Sequence, residues 1–143
     1  MTKLSRILGL LLVNGWLWEL IAIPHAWAQN TSDQPSPFVI QIDPNATHPQ
    51  EFLTGAPQTR TMESGYVALP PLRSVGAHNT QSYEEIVLVF SGRGELRLGG
   101  GATLPLTPNS LAYCPPFTEH NVVNTGGDTL RYIWLAAKAI VRK

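Results

Sequence analysis

The chain has 143 residues, with 10 basic and 10 acidic side chains, 14% charged positions and 43% apolar ones. That length holds one domain with a real core and excludes a multidomain enzyme. Balanced, sparse charge leaves no basic face to grip a phosphate backbone, so nucleic acid is not an expected partner, and the apolar content lies above the regime of intrinsic disorder.

The first 28 residues differ from the rest. Lys3 and Arg6 make a basic start, Ile7 to Ile23 form a 17-residue apolar stretch interrupted by Asn14 and Glu19, and Ala26-Trp27-Ala28 has the small-x-small form of a cleavage site. The pattern predicts a secretory signal peptide cut after Ala28. An uncleaved anchor fits less well, because a spanning helix needs roughly 20 apolar residues and Glu19 would lie within it. No twin arginine precedes the stretch and no cysteine precedes Cys114, so export of an unfolded chain without a lipid anchor is expected. The predicted product is secreted or periplasmic and free of the membrane once cleaved. It retains 8 basic and 9 acidic residues, a net charge of −1, and one of the four tryptophans.

After the signal, residues 29–59 read as a flexible lead-in with one edge strand, and residues 60–143 as a single domain. Gln29 to Pro37 is polar and holds two prolines; Phe38-Val39-Ile40-Gln41-Ile42 is a strand candidate stopped by Asp43-Pro44-Asn45. From Arg60 onward, short apolar or alternating runs are separated by Gly, Pro and Asn. The runs are Tyr66 to Leu69, Glu85 to Phe90, Glu95 to Leu98, Thr103 to Leu106, Leu111 to Cys114, His120 to Asn124 and Thr129 to Ala137. Strands at such spacing predict an all-β sandwich or barrel. Leu135 to Ile140 reads equally as strand or helical turn. Ile86 to Phe90 is apolar on both faces, so its second face needs a cover: a second sheet, the strand around Val39, or the partner in a homodimer. Cys114, the only cysteine, is expected to be an inert buried thiol.

Period two decides which polar side chains can meet. His78 and Thr80 share one strand face, His120, Val122 and Asn124 another, and Glu85, Val87 and Val89 a third. If all three faces line one barrel, two imidazoles and a carboxylate converge, a composition that holds metal. The plainer reading is a hydrogen-bonded core histidine and a solvated Glu84-Glu85 pair.

These residues resemble the cupins, in which two motifs bring metal ligands inside a small β-barrel. The first motif is seen as His78-Asn79-Thr80, four residues, Glu85, six residues, Gly92. The second is seen as Asn109, five residues, Pro115-Pro116-Phe117, two residues, His120, three residues, Asn124. Asn109 and Phe117 stand where the family has turn glycines; asparagine tolerates the left-handed conformation, and Phe117 implies a differently shaped loop. Thr80 replaces the usual second histidine. The resemblance implies a cupin double-stranded β-helix, or jelly roll, and the ligands His78, Glu85 and His120 for a divalent metal: Fe, Mn, Zn, Ni or Cu. Two histidines and one carboxylate with open positions is the arrangement of non-haem iron oxygenases. Arg73, Tyr83, Tyr113 and Phe117 are candidates for the barrel mouth.

Three functional readings follow: a metal-dependent enzyme acting on a small molecule, a small-ligand or metal carrier without turnover, and an interaction protein using the outer face of Ile86 to Phe90. No catalytic or substrate-binding residue is assigned.

Overall fold

The computed structural model describes residues 34–139, so the predicted signal peptide lies outside the described residues. Nine strands follow one another: β1 (Gln50–Thr54), β2 (Met62–Leu69), β3 (His78–Asn79), β4 (Tyr83–Ser91), β5 (Gly94–Leu98), β6 (Thr103–Leu106), β7 (Leu111–Cys114), β8 (Glu119–Asn124) and β9 (Leu130–Lys138). Among the described residues there is no α-helix, and none long and apolar enough to cross a membrane. The all-β prediction holds.

The strands form two antiparallel sheets, a five-stranded one ordered β1-β2-β9-β4-β7 and a four-stranded one ordered β3-β8-β5-β6. Alternation points one face of each inward, and the core draws on both: Leu69, Val87, Val89, Cys114, Leu130 and Tyr132 from the larger sheet, Leu96, Leu106 and Val122 from the smaller. Each such apolar side chain contributes about 1.5–3 kcal/mol on burial. The chain passes from β4 in one sheet to β5 in the other through Gly92 and Arg93. Gly92 has φ +82°, and a Cβ there would lie 2.5 Å from the Thr129 carbonyl oxygen, so only glycine fits this tight crossing. Asn109 adopts the left-handed conformation expected of it, at φ +63°.

The N-terminal part departs from the sequence reading. Phe38–Ile42 is not a strand; Val39 is 85% exposed and covers nothing. The edge strand is Gln50–Thr54, which pairs with β2 through an irregularity between Glu51 and Leu53 that hides its period. A second small core lies on the outside of β2, where Ala46 and Phe52 pack on Tyr66, Ala68 and Ile133, and the Tyr66 hydroxyl donates to the Pro44 carbonyl at 2.9 Å. Leu135 continues β9, which remains extended to Lys138.

On β4 the inward set is Glu85, Val87 and Val89, as the alternation predicts. Outward, Leu88 and Phe90 remain exposed, beside exposed Leu111 and Tyr113 of β7. Among the described residues nothing covers that face.

Candidate metal centre

His78 and His120 are register partners on β3 and β8, so their imidazoles stand side by side, ring centroids 4.3 Å apart and planes tilted by 58°. Glu85 reaches them from β4 in the opposite sheet. Its Oε2 lies 3.5 Å from His120 Nε2 and 3.9 Å from His78 Nε2. Closing the two sheets over each other brings the three predicted ligands into one cluster, with all three donor atoms within 4.8 Å of one another.

Backbone carbonyls orient both rings. His78 Nδ1 faces the Gly76 carbonyl at 3.0 Å and His120 Nδ1 faces the Thr118 carbonyl at 3.4 Å. A carbonyl only accepts, so these contacts place the proton on Nδ1 and leave the Nε2 lone pairs directed at the cluster. His120 is 1% exposed and its Nε2 has no hydrogen-bond partner: at 3.5 Å it is near the Glu85 carboxylate but not aligned as a hydrogen bond. The carboxylate draws the His120 pKa above its ordinary value, while burial acts in the opposite direction. An unpartnered buried nitrogen costs about 1–3 kcal/mol, which a cation between the donors would remove. Donors bound at about 2.1 Å to a first-row metal lie roughly 3–3.5 Å apart, so a small contraction of the cluster is enough. The donor set and its spacing fit a divalent metal.

Thr80 is not a fourth ligand. The strand ends at Asn79, and the Thr80 hydroxyl donates to the Pro115 carbonyl at 2.8 Å and accepts from the Thr118 amide at 2.9 Å. Where the family motif has a second imidazole, this chain has a buried clasp holding the Pro115–Thr118 loop against the residues after β3. Phe117, in that loop, takes φ +59°, a left-handed conformation normally suited to glycine, with its ring exposed. Asn124 also belongs to the framework: Nδ2 donates to the Leu69 and Asp128 carbonyls and Oδ1 accepts from the Gly126 amide.

A cavity of about 290 Å³ opens beside the cluster, lined by Val67, Val75, His78, Glu85, Val122, Tyr132 and Trp134. None of the mouth candidates Arg73, Tyr83, Tyr113 and Phe117 lines it. Tyr113 lies on the outer face, where its hydroxyl donates to Glu84, and Arg73 contributes its backbone carbonyl to the Asn124 amide. Sequence reasoning missed Tyr132 and Trp134. The available signal was period two along β9, which puts both on the face of Leu130. Trp134 also depends on Gly65 across the strand pair, where a Cβ would lie 2.9 Å from the indole Nε1. Cys114 is buried, and burial with the nearby Glu85 pushes its thiol up to about 11, as expected of an inert cysteine.

Two antiparallel sheets closed over converging imidazoles and a carboxylate define a class, the double-stranded β-helix barrel with an internal ligand cluster. Residues 65–136, half of the chain, match the Cupin domain family. The chain belongs to the cupin superfamily. Similar solved structures include a Bacillus halodurans protein at TM-score 0.64 and 19% identity, covering 76% of this chain and 86% of that one. A Cupin 2 conserved barrel domain protein from Salinispora arenicola aligns at TM-score 0.59 and 22% identity, covering 73% and 91%. A cupin domain from Schizosaccharomyces pombe aligns at 0.57 and 13% identity over 64% of this chain, which spans 60% of that one. At these identities the likeness speaks to the fold alone. The curated proteins contain no match to this chain.

Proposed function

We propose that this cupin is exported by cleavage after Ala28 and binds a divalent metal through His78, Glu85 and His120, acting on or holding a small molecule in the adjoining cavity. The observation that carries the reading is the buried, unpartnered Nε2 of His120, turned toward Glu85 and His78 by a ring whose other nitrogen faces a carbonyl. A divalent cation there supplies Lewis-acid chemistry and open coordination positions. The chain's own residues do the rest. Gly76 and Thr118 fix the imidazole orientations, Glu85 lowers the charge of the centre, and Val67, Val122 and Trp134 give the cavity beside it an apolar lining. The basic start, apolar stretch and Ala26-Trp27-Ala28 support export. Exposed Leu88, Phe90, Leu111 and Tyr113 support a homodimer across the larger sheet.

The carrier reading is favoured by one observation. Among the described residues, Tyr132 is the only titratable residue lining the cavity beyond His78 and Glu85, so none of them adds a separate acid–base pair to the ligands.

Purified protein offered a mixture of divalent metals is expected to retain about one metal per chain by elemental analysis. His120→Ala should retain none. His78→Ala, altered at a half-exposed side chain, should also lose the metal while its circular dichroism remains unchanged. Metal in neither parent nor variants, or equal metal in all three, would overturn the reading.

A further inference from the structure

Register sets one row of side chains across the outer face of the larger sheet, where Tyr66 on β2, Ile133 on β9, Leu88 on β4 and Leu111 on β7 are successive partners. The two ends of this row differ. At β2 the segment before β1 closes over it: the Pro44 carbonyl accepts from the Tyr66 hydroxyl, and Ala46 is buried beside it. At β4 and β7 the row is bare, with Leu88 37% exposed, Phe90 41%, Leu111 59% and Tyr113 51%. Single exposed apolar side chains are ordinary on a protein surface, but four together on two paired strands mark a contact face. β7 is also the outermost strand of its sheet, with no ladder partner on its far side among the described residues.

The chain itself carries a segment that suits this face. Phe38-Val39-Ile40-Gln41-Ile42, just before Pro44, has strand composition yet pairs with nothing among the described residues, and Phe38, Val39, Ile40 and Ile42 are 48%, 85%, 36% and 40% exposed. It leaves from the correct side of the molecule, because Pro44 is held on the outer face of the same sheet. Within one copy both apolar surfaces face water. Two copies related by a two-fold axis remove both exposures at once, since the same pair of surfaces meets twice. We infer that two copies of this chain associate through the outer faces of their larger sheets and exchange Phe38–Ile42, each segment covering Leu88, Leu111 and Tyr113 of the other copy. A segment donated across an interface to an open strand edge brings main-chain hydrogen bonds as well as apolar area. The inference rests on the homodimer part of the reading above, names the segment that holds the two copies together, and does not involve the metal.

The full chain is expressed, and the mass of the isolated protein in solution is measured by light scattering beside Ile40→Asp and Leu111→Asp, with circular dichroism and metal content as checks on the fold. The parent should have the mass of two chains. Each substitution puts a carboxylate into the apolar contact at a position exposed in the single chain, and should weaken dimerisation by at least about thirtyfold, the effect of losing one hot-spot side chain, with circular dichroism and metal content unchanged. Exchange is read by co-expressing a chain carrying Ile40→Cys with a differently tagged chain carrying Leu111→Cys and treating the protein with a short bis-maleimide. A link joining the two tags is expected, whereas Arg97→Cys, on the smaller sheet, should give none with Ile40→Cys; Cys114 is buried and does not compete. A dimer that Leu111→Asp dissociates but Ile40→Asp does not, or one without the mixed link, overturns the exchange and leaves the homodimer reading standing. A parent with the mass of one chain, or a dimer that survives both aspartates, overturns the inference together with that reading. A link formed within one chain carrying both cysteines, at the mass of one chain, shows the segment covering its own face and overturns it as well.

Discussion

His120 and Asn124 lie four residues apart on the same face of β8, both 1% exposed, and the chain treats them oppositely. The Asn124 amide makes three hydrogen bonds, to the carbonyls of Leu69 and Asp128 and from the amide of Gly126, and joins the end of β2 to the β8–β9 turn. His120 secures only its Nδ1 and leaves Nε2 bare beside a carboxylate. A buried polar group whose capacity is exhausted is framework, and one left open beside a carboxylate and a second imidazole is a candidate site. Burial alone does not separate the two residues; the hydrogen-bond inventory does.

The comparison breaks first at Asn124. Asn124→Ala takes the side-chain donor from the Leu69 and Asp128 carbonyls, while the Gly126 amide keeps the Arg93 carbonyl, and should cost on the order of 2–4 kcal/mol, read from the urea midpoint. A loss below about 1 kcal/mol would mean that water replaces the amide, on the scale of a single exposed hydrogen bond. Thr80 comes next. Thr80→Val keeps the shape and removes both bonds of the clasp, so about 2 kcal/mol should be lost while metal content is unchanged. A fall in metal content at constant fold would return Thr80 to the ligand set. His78→Ala removes a half-exposed ring with little packing behind it, and stability should move by no more than about 0.5 kcal/mol even as metal is lost.

The smallest effect belongs to Cys114. With the folded thiol near 11 against an ordinary 9.0, the folded state holds its proton more tightly, so stability falls as pH rises from about 9 through about 11 and is unaffected below. Iodoacetamide should leave the thiol unmodified at pH 8 until denaturant is added. Ready alkylation of the folded protein would place Cys114 at the surface.

Much of this is legible in the sequence. Neither Glu85 to Phe90, apolar on both faces from Ile86, nor His120 to Asn124 alternates in hydrophobicity, but once each is read as a strand, period two places Glu85 with Val87 and His120 with Val122, as their burial shows. The intervals from His78 to Gly92 and from Asn109 to Asn124 resemble the cupin motifs, and that resemblance implied the barrel. Three things were not legible, each because it depends on a partner distant in sequence. Gln50–Thr54 is a strand only because β2 offers it an edge, whereas the more strand-like Phe38–Ile42 pairs with nothing among the described residues. The Thr80 clasp exists only once the Pro115–Thr118 loop lies against it. Trp134 faces the cavity because Gly65, in the neighbouring strand, leaves space for its indole.

The account turns on two Nε2 lone pairs held ready by protonated Nδ1 atoms, and nitrogen-15 NMR of the histidine side chains during a zinc titration observes this directly. His48, exposed and outside the cluster, is the internal control. The account predicts that before zinc both His78 and His120 carry their proton on Nδ1. At one equivalent their Nε2 resonances should shift while Nδ1 stays protonated and His48 is unchanged. Protons found on Nε2 in the metal-free protein, or zinc that shifts His48 as much as His120, would contradict it.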